Sequence, residues 1–248
     1  NWKGVKKNEL KPWRQKSWCI GKINSEYIKR MEDILDLYEK PYNPREPVVC
    51  LDEFSIELHD EKVSPIEAKP GKIRKEDYEY IRKGVNSVFV VVEPLGGKRW
   101  AIISRKRGKG EFAEVLRKII EEWYGSKKTE KIHLVMDNLN THRESLLYEY
   151  LTAERARENI KRIEVHYTPI HGSWLNMAEI EIGALMTQSL RRRIKSIEML
   201  KEELEACVGE RNKEGRTIKW EFTNGKAREK LERHYPKVTK KYKPVQFI

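Results

Sequence analysis

His166-Tyr167-Thr168-Pro169-Ile170-His171-Gly172-Ser173-Trp174-Leu175-Asn176-Met177-Ala178-Glu179 decides how the rest of the chain is read. A β-rich run, Ile163 to Tyr167, stops at Pro169, and a short loop containing Gly172 follows. Ser173 stands where its hydroxyl would accept a bond from an orphan N–H in the first turn of a new helix. Glu179 then falls in the second turn of that helix.

One glutamate carries little information by itself. Two earlier acids give it context. Asp52 follows Val48-Val49-Cys50-Leu51, and Asp137 follows Ile132-His133-Leu134-Val135-Met136. Both runs are short and apolar, as buried strands are. An uncompensated carboxylate at the end of such a strand is costly to bury. Two strand-end aspartates and one helix glutamate together would form a carboxylate cluster for divalent metal. Glu53, next to Asp52, falls on the opposite face of a regular strand and is expected to lie behind the cluster or at the surface. Glu179 has a rival in Glu181. The two border opposite sides of the apolar face formed by Leu175, Ala178, Ile182, Leu185 and Met186, so periodicity does not separate them. Loss of the Glu181 charge is expected to do little to the chemistry of the cluster.

Outward from this stretch, the order of elements fixes a fold class. An amphipathic helix is expected over Ser25 to Tyr38, closed by Pro41, Pro44 and Pro47. Val48 to Leu58 reads as a strand and Ser64 to Arg82 as a surface loop. Ser87–Glu93 and Arg99–Ser104 flank Pro94-Leu95-Gly96-Gly97 as a hairpin. Glu111 to Tyr124 reads as a helix, Lys131 to Met136 as a strand, and Arg143 to Asn159 as a helix. A strand over Ile163 to Tyr167 and helices over Trp174–Leu190 and Ser196–Arg211 complete the core. Three strands in a meander, followed by alternating helices and strands, imply an α/β fold: a mixed sheet flanked by helices. Asp52 on the first strand and Asp137 on the fourth meet only if those strands are neighbours, an arrangement of ribonuclease-H-like folds.

Composition narrows the partners. The 248 residues carry 51 Lys and Arg against 39 Asp and Glu, a formal net charge of +12. The excess lies at the ends, with nine basic and two acidic residues from Asn1 to Arg30, and eight and two from Lys226 to Lys243. Arg191-Arg192-Arg193 with Lys195 is a third cluster. Basic ends around a more neutral middle suit a polyanion, and nucleic acid is the first candidate, against a merely solvated, charge-rich surface. Cys19, Cys50 and Cys207 are scattered, with no zinc spacing, and fit a reducing cytoplasm. Cys50 is expected to be a core thiol. No run reaches transmembrane length, so no membrane partner is expected.

Four pieces taken together are similar to the catalytic domain of mariner-superfamily transposases, in their bacterial insertion-sequence branch. They are Leu51-Asp52-Glu53, the run Asp77-Tyr78-Glu79-Tyr80-Ile81-Arg82-Lys83-Gly84, Asp137-Asn138-Leu139-Asn140-Thr141-His142, and Ser173-Trp174-Leu175-Asn176-Met177-Ala178-Glu179. The likeness runs from about Leu10 through Trp220. It implies a ribonuclease-H-like fold, DNA cleavage and strand transfer, and a catalytic, metal-binding triad of Asp52, Asp137 and Glu179. Here the triad pattern favours Glu179 over Glu181. Three carboxylates brought together need cations, and an oxygen-only donor set favours Mg²⁺ or Mn²⁺, two ions in this chemistry. Asn138, His142, His171, Trp174 and Asn176 are expected to contact DNA or support the metal ligands. Trp174 is equally readable as a packing lid.

The resemblance further implies a homodimer acting on element ends and target DNA, in the cytoplasm of a bacterium or archaeon and associated with the nucleoid. The chain opens with Asn rather than Met and contains no helix-turn-helix region before the catalytic part, so a fragment is expected. Residues 1–47 read as basic arm, linker and helix, 48–215 as the catalytic domain, and 216–248 as a basic C-terminal tail. The rival readings are a structure-specific or hybrid nuclease of the same fold and a non-catalytic DNA-binding descendant.

Overall fold

The computed structural model describes residues 23–139 and 142–235. The tryptophan-rich basic arm, Cys19, Asn140, Thr141 and the last part of the basic tail lie outside the described residues.

Helix α1, Ser25–Glu39, opens on the Asn24 side chain, which accepts from the Tyr27 N–H. Strand β1 runs Val48–Glu61, β2 Tyr80–Glu93 and β3 Lys98–Ser104. Helix α2, Lys109–Arg117, continues into a wider π-type turn, Lys118–Trp123, before β4, Ile132–Met136. Helices α3, Leu147–Tyr150, and α4, Ala153–Lys161, lead to β5, Ile163–Tyr167. Helices α5, Ala178–Gln188, α6, Ile197–Lys213, and α7, Asn224–Lys230, follow.

The sheet order is β3-β2-β1-β4-β5, antiparallel across the meander and parallel from β1 through β4 to β5. This is the ribonuclease-H-like mixed sheet expected from the element order, with the first and fourth strands adjacent. Alternation sorts its side chains to two faces. Val49, Leu51, Phe89, Val91, Leu134 and Met136 pack under α2, the π-type turn, α3 and α4. On the other face, Cys50, Val92 and Val135 pack against α1, and Leu58, Val88 and Val90 against α5 and α6. Cys50 is a fully buried core thiol, as expected, and burial pushes it up to about 12.

Five boundaries differ from the sequence expectation. β2 begins at Tyr80, inside the stretch read as a loop, because β1 extends to Glu61 and the two continue as a ribbon. There Tyr80 stacks on His59 at 3.9 Å and Lys83 pairs with Asp60 at 3.2 Å. The helix expected over Arg143 to Asn159 breaks at Leu151, where the chain turns extended and Thr152 caps a fresh helix. The helix expected to run unbroken to Tyr124 widens after Arg117, and Arg162 donates to the carbonyls of Ile120 at 2.9 Å and Tyr124. Ser173 starts only a single 3-10 turn, and α5 begins later, capped by Asn176 Oδ1, which accepts from the Ala178 N–H at 3.1 Å. That places Glu179 in the first turn of α5, not the second.

Residues 216–235, read as part of a basic tail, pack back on α1. Asn224 donates to Asp36 Oδ1 at 2.6 Å, Arg228 pairs with Glu32 at 2.8 Å, and Ala227 is buried. In the β2–β3 turn Gly97 adopts φ +65° within 2.8 Å, measured from its notional Cβ, of the Gly215 carbonyl, so any side chain there would meet backbone.

Candidate active site

Asp52 and Asp137 are brought together by strand register. β1 pairs with β4 from Val48 with His133 to Cys50 with Val135. Asp52 and Asp137 each follow the last paired residues by two positions, close enough that the Asp137 charge acts on Asp52. Pairing of β1 with β4 ends at Cys50, so Asp52 stands where β4 leaves the sheet and space opens beside the strand. It is not at the end of β1, which runs nine residues further to Glu61.

Each aspartate is held by identifiable partners. Asp52 Oδ1 accepts from the Glu53 N–H at 2.8 Å, and its Oδ2 accepts from Asn176 Nδ2 at 3.2 Å. Asn176 is almost fully buried and also donates to the Leu51 carbonyl at 2.8 Å. With its Oδ1 capping α5, this one side chain ties the Asp52 strand to the helix turn that carries Glu179. Glu179 itself is exposed, and the first turn of a helix suits its negative charge.

Asp137 Oδ1 is hydrogen-bonded to His142 Nδ1. The imidazole is buried and stacked on Phe112 at 4.4 Å, so its plane is fixed by packing. Its Nε2 lies 3.4 Å from Glu53 Oε2, and Arg107 Nε lies 3.4 Å from Glu53 Oε1. Glu53 points to the opposite face from Asp52, as expected, and lies behind His142, its Oε2 buried without a hydrogen-bond partner. Tyr167 lies beside His142: its hydroxyl donates to Glu144 Oε2 at 2.8 Å and sits 3.2 Å from the His142 carbonyl.

The electrostatics record how the acids crowd. Burial, and after it the charges of Glu179, Glu53 and Asp137, push the Asp52 carboxyl up to about 7, against the pull of its Glu53 N–H bond. Burial also pushes Glu53 up, while His142 and Arg107 hold it back.

The remaining expected residues fall differently. Asn138 is exposed beside Asp137. His171 takes a left-handed backbone, φ 61°, and lines a groove with Asn24, Tyr27, Arg30 and Pro169 at the start of α1. Trp174 is 43% exposed, donates to the Tyr27 hydroxyl at 3.2 Å, and packs near Trp220 and Phe222. Glu181 is wholly buried. Arg211 holds it bidentately at 2.8 and 2.9 Å, and Arg99 Nε lies 3.1 Å away. Glu181 belongs to an ion network joining α5, α6 and β3. Arg107 and Tyr167 were missed in the sequence. The run Arg105-Lys106-Arg107, just past β3, was the available signal for the first.

A family model of DDE superfamily endonucleases matches residues 47–201, a span holding Asp52, Asp137 and Glu179. The chain belongs to the DDE superfamily endonucleases. The fold of this DDE superfamily chain is similar to that of Mos1 transposase in a paired-end complex with the left transposon end, at 15% identity and TM-score 0.53, over 85% of this chain and 63% of the other. The Mos1 strand transfer complex gives the same identity, coverage and score. The Mos1 mariner paired-end complex with Mn gives 15% identity and TM-score 0.50, over 85% and 64%. The DDE superfamily chain thus spans about 63% of the length of those transposase chains. No curated protein matches it in sequence. No helix among its described residues is long and apolar enough to cross a membrane.

Proposed function

We propose that this chain is the catalytic part of a DNA transposase, which cleaves element ends and joins them to target DNA through Asp52, Asp137 and Glu179. The observation that carries the reading is the convergence of the acids: Asp52 held by Asn176, Asp137 held by His142, and Glu179 on the adjoining helix turn, all inside the span that matches DDE superfamily endonucleases, with burial and the neighbouring acids raising the Asp52 carboxyl. A carboxylate placed so unfavourably is one that a bound cation would relieve. The donors are all carboxylate oxygens, which fits Mg²⁺ or Mn²⁺, and we assign two such ions to the three acids. Bound there, divalent cations would supply activation of the attacking oxygen and neutralisation of charge at the phosphate.

The protein's own groups do the positioning. Asn176 holds the Asp52 carboxylate toward the α5 turn, and His142 fixes the rotamer of Asp137 from behind. Glu179, on the exposed helix turn, completes the set from the solvent side. The +12 net charge supplies the field that draws a DNA backbone, and a second copy of the chain is expected in the complex on DNA.

The test is Mg²⁺-dependent cleavage of element-end DNA by this chain. Asp52→Asn, Asp137→Asn and Glu179→Gln each are expected to abolish cleavage and leave DNA binding intact. An active Glu179→Gln protein would remove Glu179 from the triad.

A further inference from the structure

A second group of ligating side chains lies away from the carboxylates, on the α1 face of the sheet. His133 on β4 pairs in register with Glu164 on β5, and His166 follows two residues later, so alternation sends all three side chains to one face. Their donor atoms lie within 4.8 Å of one another. His133 Nδ1 stands 3.1 Å from His166 Nε2, and Glu164 carboxylate oxygens stand 4.0 Å and 3.9 Å from those two nitrogens. Behind His166, its Nδ1 bonds Asp33 Oδ2 on α1 at 2.7 Å.

We propose that His133, Glu164 and His166 form a zinc-class metal site that clips β5 to β4 and, through Asp33, fastens α1 to the sheet. Two imidazole nitrogens and one carboxylate are a borderline donor set, unlike the all-oxygen set at Asp52, so the two sites would select different metals. Bonds of about 2.0–2.1 Å in tetrahedral geometry set neighbouring donors roughly 3.3 Å apart, close to the observed imidazole separation. Glu164 is half exposed, so its carboxylate is free to swing in from the present 3.9–4.0 Å contacts toward the same spacing. A histidine ligand whose second nitrogen donates to a carboxylate is the arrangement that fixes tautomer and ring orientation in metal sites, and Asp33 supplies it here. Without metal, the same groups form a hydrogen-bonded chain from His133 through His166 to Asp33. With metal, His133 takes the tautomer protonated at Nε2, the Nδ1 proton exchanging through solvent to that nitrogen, and the freed Nδ1 lone pair becomes a ligand. The fourth position is left for water.

The experiment titrates Co²⁺, as an optical stand-in for Zn²⁺, into the chelator-stripped full chain and follows the visible bands of tetrahedral cobalt. Thermal unfolding with one equivalent of Zn²⁺ is measured beside it. One equivalent is expected to produce the bands, and Zn²⁺ to raise Tm, in both the wild type and Asp52→Asn. His133→Gln is expected to lose the bands. Glu164→Gln and Asp33→Asn, both changes at exposed groups, are expected to weaken binding by about 10–100-fold. Absence of tetrahedral bands in the wild type would overturn the site. So would bands that persist unchanged in Glu164→Gln and Asp33→Asn, which decides the matter even if His133→Gln fails to fold. Bands lost in Asp52→Asn but kept in His133→Gln would assign the metal to the carboxylates instead.

Discussion

Asn176 donates to Asp52 Oδ2 at 3.2 Å, and the other end of the same amide caps the helix that carries Glu179. One buried side chain therefore sets the relation between a strand acid and a helix acid. Asn176→Ala is expected to cost about 2–3 kcal/mol of stability, because it strips three hydrogen bonds from a buried place. Misplacing Asp52 should also lower cleavage by about 100-fold, measured at a temperature where the variant is fully folded. Normal cleavage by a folded Asn176→Ala protein would show that the amide only caps the helix.

Glu179 and Glu181 should separate cleanly by the kind of loss each causes. Glu179 is exposed, so Glu179→Gln is expected to change stability by less than about 0.5 kcal/mol while removing activity. Glu181→Gln leaves Arg99 and Arg211 buried beside a neutral amide, at a cost of about 3–5 kcal/mol. Urea unfolding of the two variants checks this, and equal stabilities would contradict the burial of Glu181.

Asp52 gives the metal-free protein a specific pH dependence. Its folded value, about 7, lies above the unfolded value, 3.8, so the folded state binds the extra proton between those limits. Its contribution is fully present below about 3.8 and is lost as pH rises through 7, by about 2–4 kcal/mol. In chelator, Asp52→Asn should therefore be more stable than wild type at pH 8 and closer to it at pH 5. Mg²⁺ should restore the wild type at pH 8 and do little for the variant. Parallel pH profiles for the two proteins would show that Asp52 is not strained.

DNA binding should be dominated by phosphate contacts. A chain neutralising about six phosphates is expected to lose about 10³-fold in affinity between 50 and 200 mM salt. A loss below tenfold would rule out the basic surfaces as the source of binding.

Much of the fold was legible because three of its strands carry short apolar runs. Val48–Leu51, Ile132–Met136 and Ile163–Tyr167 are bounded by acids or proline, and their order fixed which strands must touch. The start of β2 was not legible, because Tyr80–Val85 is exposed and polar, without the alternation that marks a half-buried strand. The break at Leu151 was hidden because Thr152 acts only through its own local cap. At the site, the register of β1 and β4 could be anticipated from the two aspartates, and His142 from its spacing after Asp137. Glu181 could not be separated from Glu179 by periodicity. What distinguishes it is Arg99 and Arg211, which come from elements distant in sequence and meet it only in the folded chain. The placement of Asn176 between Asp52 and α5 is likewise a tertiary fact.

The most direct measurement of the central claim supplies pre-cleaved element ends bearing free 3′-hydroxyls, Mg²⁺ and target DNA, and asks for joined product. The chain is predicted to join them. Asp52→Asn, Asp137→Asn and Glu179→Gln are predicted to lose joining together with cleavage while still binding the ends. A wild-type protein that cleaves element ends but yields no joined product under those conditions would contradict strand transfer and leave a nuclease of the same fold.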